Sequence, residues 1–125
     1  MIKNILLVGL GGGLGSILRY LCQRWFSEAY PYPFPWGTFV VNLAGCFLIG
    51  VIYAASEKTT ALSPHTRLFL AAGFCGGFTT FSTFAFEGMN LVRSNDTTYF
   101  LIYTIGSVVL GILGVFGGVA LVKLL

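Results

Sequence analysis

Residues 76–87 read GGFTTFSTFAFE and hold four phenylalanines, four hydroxyl side chains and a closing acid. Phe78, Phe81 and Phe84 recur every third residue, which keeps them on roughly one stripe of a helix. Thr80 and Thr83 form a neighbouring hydroxyl stripe. A phenyl ring is electropositive at its edge. Ring edges and hydroxyl donors together suit a small anion that accepts hydrogen bonds strongly. The same spacing also describes an aromatic packing stripe whose threonines bond back to helix carbonyls. The residue types alone leave both open. Gly76-Gly77 weakens a helix and Thr79-Thr80 adds β-branched residues, so a break is expected over residues 76–80. Irregular backbone at membrane depth survives only when buried in protein or lining a cavity. Its freed carbonyl oxygens can coordinate a cation.

Four further polar residues interrupt apolar sequence. Asn42, in GTFVVNLAGCFLIG, offers two donors and one acceptor, or serves as interhelical glue. Ser107, in TIGSVVLG, can bond its own helix carbonyl or serve a site. Glu87 lies at an interface or lines an aqueous vestibule. Arg19 follows fifteen uncharged residues and either snorkels outward or raises the anion concentration at a pore mouth. His65 is the only histidine and lies in a loop. With no nucleophile–base pair and no cofactor loop, an enzyme is not expected. Cys22, Cys46 and Cys75 are odd in number and widely spaced, which argues for small packing residues over a zinc site or a disulfide.

The elements that carry these residues are membrane helices. The chain has 125 residues, of which 56% are hydrophobic and 9% charged. Soluble domains carry about 25% charged residues. Uncharged runs cover Asn4–Leu18, Ala29–Ser56, Leu68–Phe86 and Thr97–Val122. A helix crosses the bilayer core with about 20 apolar residues. The expectation is one all-α membrane domain over residues 1–125, with spans near 3–26, 37–56, 66–92 and 98–123. Tyr30, Tyr32, Trp36, Tyr99 and Tyr103 fall near span ends, where an aromatic belt sits. The apolar N-terminus lacks a clear cleavage site and is read as a retained first span.

Glycines recur four apart at Gly9/Gly13, Gly11/Gly15, Gly73/Gly77 and Gly114/Gly118, a pattern that lets helix backbones approach closely. The segment GLGGGLG also resembles a phosphate loop, but it has no strict GxGxxG, no following GK[ST] and no preceding strand. With four spans, Lys3, Lys58, Arg67 and Lys123 share one side, and Arg19, Arg24 and Arg93 the other. So even a split gives the positive-inside rule little purchase. Insertion in both orientations, as an antiparallel pair, is one reading; miscounted arginines inside the first span are the other. Four short helices enclose little by themselves, which favours an oligomer, and homodimers are the commonest closed form.

The elements GGGLGSILRY, WGTFVVNLAGCFLIG, GFCGGFTTFSTFAFE and Gly106-Ser107 together resemble the Fluc (CrcB-type) fluoride channel family. The resemblance spans nearly the whole chain. It implies a dual-topology antiparallel homodimer in the bacterial cytoplasmic (inner) membrane. It implies two fluoride pores along the dimer interface, giving passive fluoride efflux and protection from fluoride toxicity. By this resemblance Asn42 lines the pore, Phe81 and Phe84 present ring edges to fluoride, and Thr38, Thr83, Glu87, Tyr103 and Ser107 form a polar track. Arg19 matches a vestibule arginine. A structural sodium ion is implied at the dimer centre, held by the backbone carbonyls of Gly76 and Thr79 from each subunit. Family members often carry serine where this chain has Ala85. The partners expected are fluoride, sodium, a second copy and membrane lipid, with no nucleic acid. Two rivals stand beside this reading. A small four-helix drug exporter of dual topology would want a carboxylate within the first helix, and the only acid in the first fifty residues is Glu28. A non-transporting membrane scaffold would use only the glycine faces.

Overall fold

The computed structural model describes residues 1–31 and 33–125, and every regular element is helical. Tyr32, one of the expected belt aromatics, lies outside the described residues. Helix α1 covers Ile2–Ala29 and α2 covers Trp36–Lys58. The third span, Pro64–Arg93, comes in two pieces. Its first piece, α3, runs over residues 64–78, with the stretch Leu68–Cys75 wound as a π-helix. Its second piece, α4, is Phe81–Arg93. Helix α5 covers Thr97–Leu124. All four spans are long and apolar enough to cross a membrane, as the uncharged runs anticipated.

The element ends have local causes. Ser63 caps α3 by accepting from the Thr66 N–H at 3.1 Å, and Pro64 fills the first turn, where a missing N–H is harmless. After α4, Asn95 adopts the left-handed conformation at φ 60°, which asparagine tolerates better than most residues. This lets the Asp96 N–H reach back to the Leu91 carbonyl at 2.9 Å and the Asn95 N–H to Val92 at 3.1 Å. The paired bonds close α4 as a Schellman turn.

Glycine sets which helices meet. Helix α1 packs most closely on α3, and α2 on α5. A Cβ at Gly11 would come 2.5 Å from the Phe69 carbonyl oxygen, and one at Gly77 would collide with the Gly12 carbonyl. Gly118 meets the Phe47 carbonyl in the same way across the α2–α5 seam. Backbone contact this close gives dispersion gains that apolar side chains in lipid do not. Gly9 and Gly13 behave otherwise: nothing stands within 4 Å of either position, so this pair faces outward and seals no seam.

The interior is aromatic. Phe34, in the proline-rich link between α1 and α2, folds inward and meets Tyr103 at 5.5 Å and Phe39 at 5.3 Å, both near edge-on. Leu91, Phe84 and Phe100 complete this cluster. Tyr103 therefore corrects its expected place in the aromatic belt: it is fully buried, while Tyr30, Trp36 and Tyr99 remain exposed.

Candidate functional site

The break is narrower than the sequence suggested. Gly76 and Gly77 stay helical, and only Thr79 (φ −96°, ψ 159°) and Thr80 (φ −150°, ψ 122°) are extended. Gly77 serves the α1 seam instead, against the Gly12 carbonyl. Thr79 ends α3 by donating both its N–H and its hydroxyl to the Cys75 carbonyl, at 3.1 and 2.9 Å. Thr80 starts α4 as its cap, accepting from the Thr83 N–H at 3.2 Å. The Thr80 hydroxyl also donates to the Thr83 hydroxyl at 3.2 Å. Much of the hydroxyl stripe therefore terminates helices. The phenylalanine stripe divides at the same point: Phe78 is buried in α3 and stacks on Phe74 at 5.8 Å, away from Phe81 and Phe84.

Asn42 of α2 holds the break open. Its Oδ1 accepts from the Thr80 N–H at 2.8 Å, and its Nδ2 donates to the Thr80 carbonyl at 3.0 Å. The amide thus satisfies both backbone groups of an extended residue, as a neighbouring strand would. One Nδ2 hydrogen is left over. In a continuous helix the Thr80 N–H would bond the Gly76 carbonyl; here that carbonyl is released from the bond. Arg19 turns to the same place. Its Nε donates to the Gly77 carbonyl at 2.9 Å, and it lines neither of the cavities described below.

Two cavities flank the break. The first, of about 250 Å³, is lined by Asn42, Thr79, Thr80, Phe81, Phe84 and Ser107, with Val108. No charged side chain lines it. The Ser107 hydroxyl is buried and has no hydrogen-bond partner among the described residues. Phe81 is 78% exposed and lies 5.7 Å from Phe84. The second cavity, of about 570 Å³, opens beside the α1–α2 link and includes Gln23, Arg24, Thr38, Thr83 and Glu87 in its lining.

Tyr103 joins the two. Its hydroxyl donates to Glu87 Oε1 at 2.9 Å, and its ring packs on Phe84 at 5.0 Å. Thr38, which is 1% exposed, lines the larger cavity together with Thr83 and Glu87. The expected track of Thr38, Thr83, Glu87, Tyr103, Asn42, Phe81, Phe84 and Ser107 thus gathers in one region, divided between two cavities with Tyr103 linking them. Gln23 went unmarked in the sequence, yet its Nε2 donates to Thr38 Oγ1 at 3.0 Å. Its position four residues after Arg19 was the available signal, since both then share a helix face.

Chemically, the smaller cavity presents hydrogen-bond donors and two phenyl rings, with no charged side chain among the described residues that line it. No group of three or more His, Cys, Asp or Glu residues gathers among the described residues, so a metal ion here would draw on backbone or neutral side-chain oxygens. The released Gly76 carbonyl and the extended Thr79 are the oxygens suited to a hard monovalent cation.

Comparison with known proteins agrees in extent with the helical frame. Residues 6–119 match the family described as CrcB-like protein, Camphor Resistance (CrcB). A Leptospira interrogans protein named fluoride-specific ion channel FluC is 49% identical over 121 residues, covering 97% of this chain and 95% of its own. Proteins of the same name from Phocaeicola vulgatus and Chlorobium luteolum are 50% and 49% identical, over 94% and 96% of this chain. Those alignments cover 96% and 92% of the two relatives. Matched from α1 to α5 by the family model, and across nearly their full length by these relatives, the chain belongs to the CrcB-like family.

Proposed function

We propose that this protein is a fluoride-selective channel that lets the anion leave the cell passively. The observation that carries the reading is the cavity at the break, where the unpartnered Ser107 hydroxyl, the spare Asn42 N–H and the rings of Phe81 and Phe84 meet without a charged side chain. Conduction needs binding strong enough to replace water and weak enough to release. Neutral donors and ring edges meet both conditions, whereas a buried ammonium would trap the ion. Thr38, Thr83, Glu87 and Tyr103 extend this path toward the larger cavity, which acts as its aqueous mouth. Arg24 lines that mouth and Arg19 braces the break.

The working unit in this reading is an antiparallel pair of chains in the bacterial inner membrane. The extended Thr79-Thr80 backbone cannot face lipid, because irregular backbone at membrane depth must be covered by protein. A second copy laid over the break supplies that cover. Sodium would be held by the Gly76 and Thr79 carbonyls of both chains, where it would tie the two breaks together electrostatically. The exporter reading finds no support in α1: its one acid, Glu28, is exposed at the helix end and paired with Arg24 at 3.1 Å.

The test is a fluoride-electrode efflux assay on purified protein in liposomes. Fluoride flux well above that of empty vesicles is expected, with chloride retained. Flux equal to empty vesicles, at confirmed reconstitution, would overturn the proposal.

A further inference from the structure

We infer that Gln23 is a positioning residue that sets the direction of the Thr38 hydroxyl at the mouth of the polar track. This rests on the channel reading above.

Thr38 has one hydroxyl hydrogen to donate and two lone pairs with which to accept. Tyr103 already donates its own hydrogen to Glu87 Oε1 at 2.9 Å. Thr38 is 1% exposed and lines the larger cavity together with Glu87, so its single hydrogen is held away from bulk water. Its bond with Gln23 runs from amide to hydroxyl, Nε2 donating to Oγ1 at 3.0 Å. Gln23 takes a lone pair of Thr38 and so fixes where the remaining lone pair and the hydrogen point.

The fold holds Gln23 to this task. Gly37, the residue before Thr38, leaves room for the Gln23 backbone: a Cβ there would sit 2.8 Å from the Gln23 Cα. Helices α1 and α2 thus touch where the amide must reach the hydroxyl. Both Gln23 and Thr38 also line the larger cavity, so the contact stands at the boundary between water and the buried track. An entering anion meets a hydroxyl whose orientation is already set, and pays less to align it.

The experiment measures fluoride efflux from liposomes against fluoride concentration, for wild type and Gln23→Met, which keeps length and removes the donor. The expected result is a rise of about fivefold in the half-saturating fluoride concentration, the size of one lost hydrogen bond, with maximal flux changed less than twofold. A merely structural role would lower the number of working channels and hence maximal flux, leaving half-saturation in place. Should Gln23→Met fail to give a monodisperse protein, the isosteric Gln23→Glu carries the same measurement at high salt, where its added charge is screened. Wild type without flux would overturn the channel reading itself. A conducting wild type and a Gln23 variant with unchanged half-saturation would overturn this inference alone.

Discussion

Phe81 and Phe84 sit three residues apart on α4, yet they stand in different surroundings. Phe84 packs on buried Tyr103, whereas Phe81 is mostly exposed in the single chain. Replacing each by isoleucine should separate fold from flux. Phe81→Ile should leave the stability of the isolated chain within about 0.5 kcal/mol, as surface changes usually do. Phe84→Ile should cost about 1 kcal/mol through the lost ring contact. Both should slow fluoride efflux several-fold with the protein still monodisperse; wild-type rates from both would remove the ring edges from the path. Asn42→Ala should cost more, about 1–3 kcal/mol, because it strands both backbone groups of Thr80. Denaturant unfolding in detergent would read this, with little loss marking the clamp as dispensable. The amide at 42 was legible as an outlier in an apolar run. Its bond to Thr80 was not, since thirty-eight residues separate them and only the tertiary fold brings them together.

At the scale of elements, the spans and most of the glycine pairs were readable because lipid imposes length and apolarity on a helix. The break was readable too, but for a partly mistaken reason. Gly76-Gly77 looked like the weak point; the structure keeps both helical and assigns Gly77 to the seam with Gly12. The extended residues are instead the two threonines, held by an amide that local propensity cannot foresee. Gly9/Gly13 shows the same limit, since spacing identifies a possible face and the neighbouring helix decides whether it is used. A matched pair of substitutions tests this. Gly77→Ala places a methyl against the Gly12 carbonyl and should cost about 1–3 kcal/mol by overpacking. Gly13→Ala meets open space and should be neutral or slightly stabilising, because alanine favours a helix more. Thermal unfolding in detergent would rank the two, and equal Tm values would show that the α1–α3 seam is looser than its geometry.

For the molecule as a whole, the near-even division of Lys and Arg between the two sides fits a chain able to insert either way up. Two lysines added between Thr59 and Leu62, in the link from α2 to α3, should bias that choice. Fewer antiparallel pairs and lower flux are expected, read by topology reporters at the termini and by efflux. Unchanged orientation and flux would make dual insertion inessential. The interleaving of the seams bears on how such a choice can be made at all. Helix α1 closes on α3 and α2 on α5, so neither tight pairing joins consecutive spans. As the chain leaves the ribosome, the first span waits in the bilayer until the third arrives, and the second until the last. A chain free to insert either way up would therefore settle its orientation while the spans were still loose neighbours, and the glycine seams would lock whichever topology had been delivered.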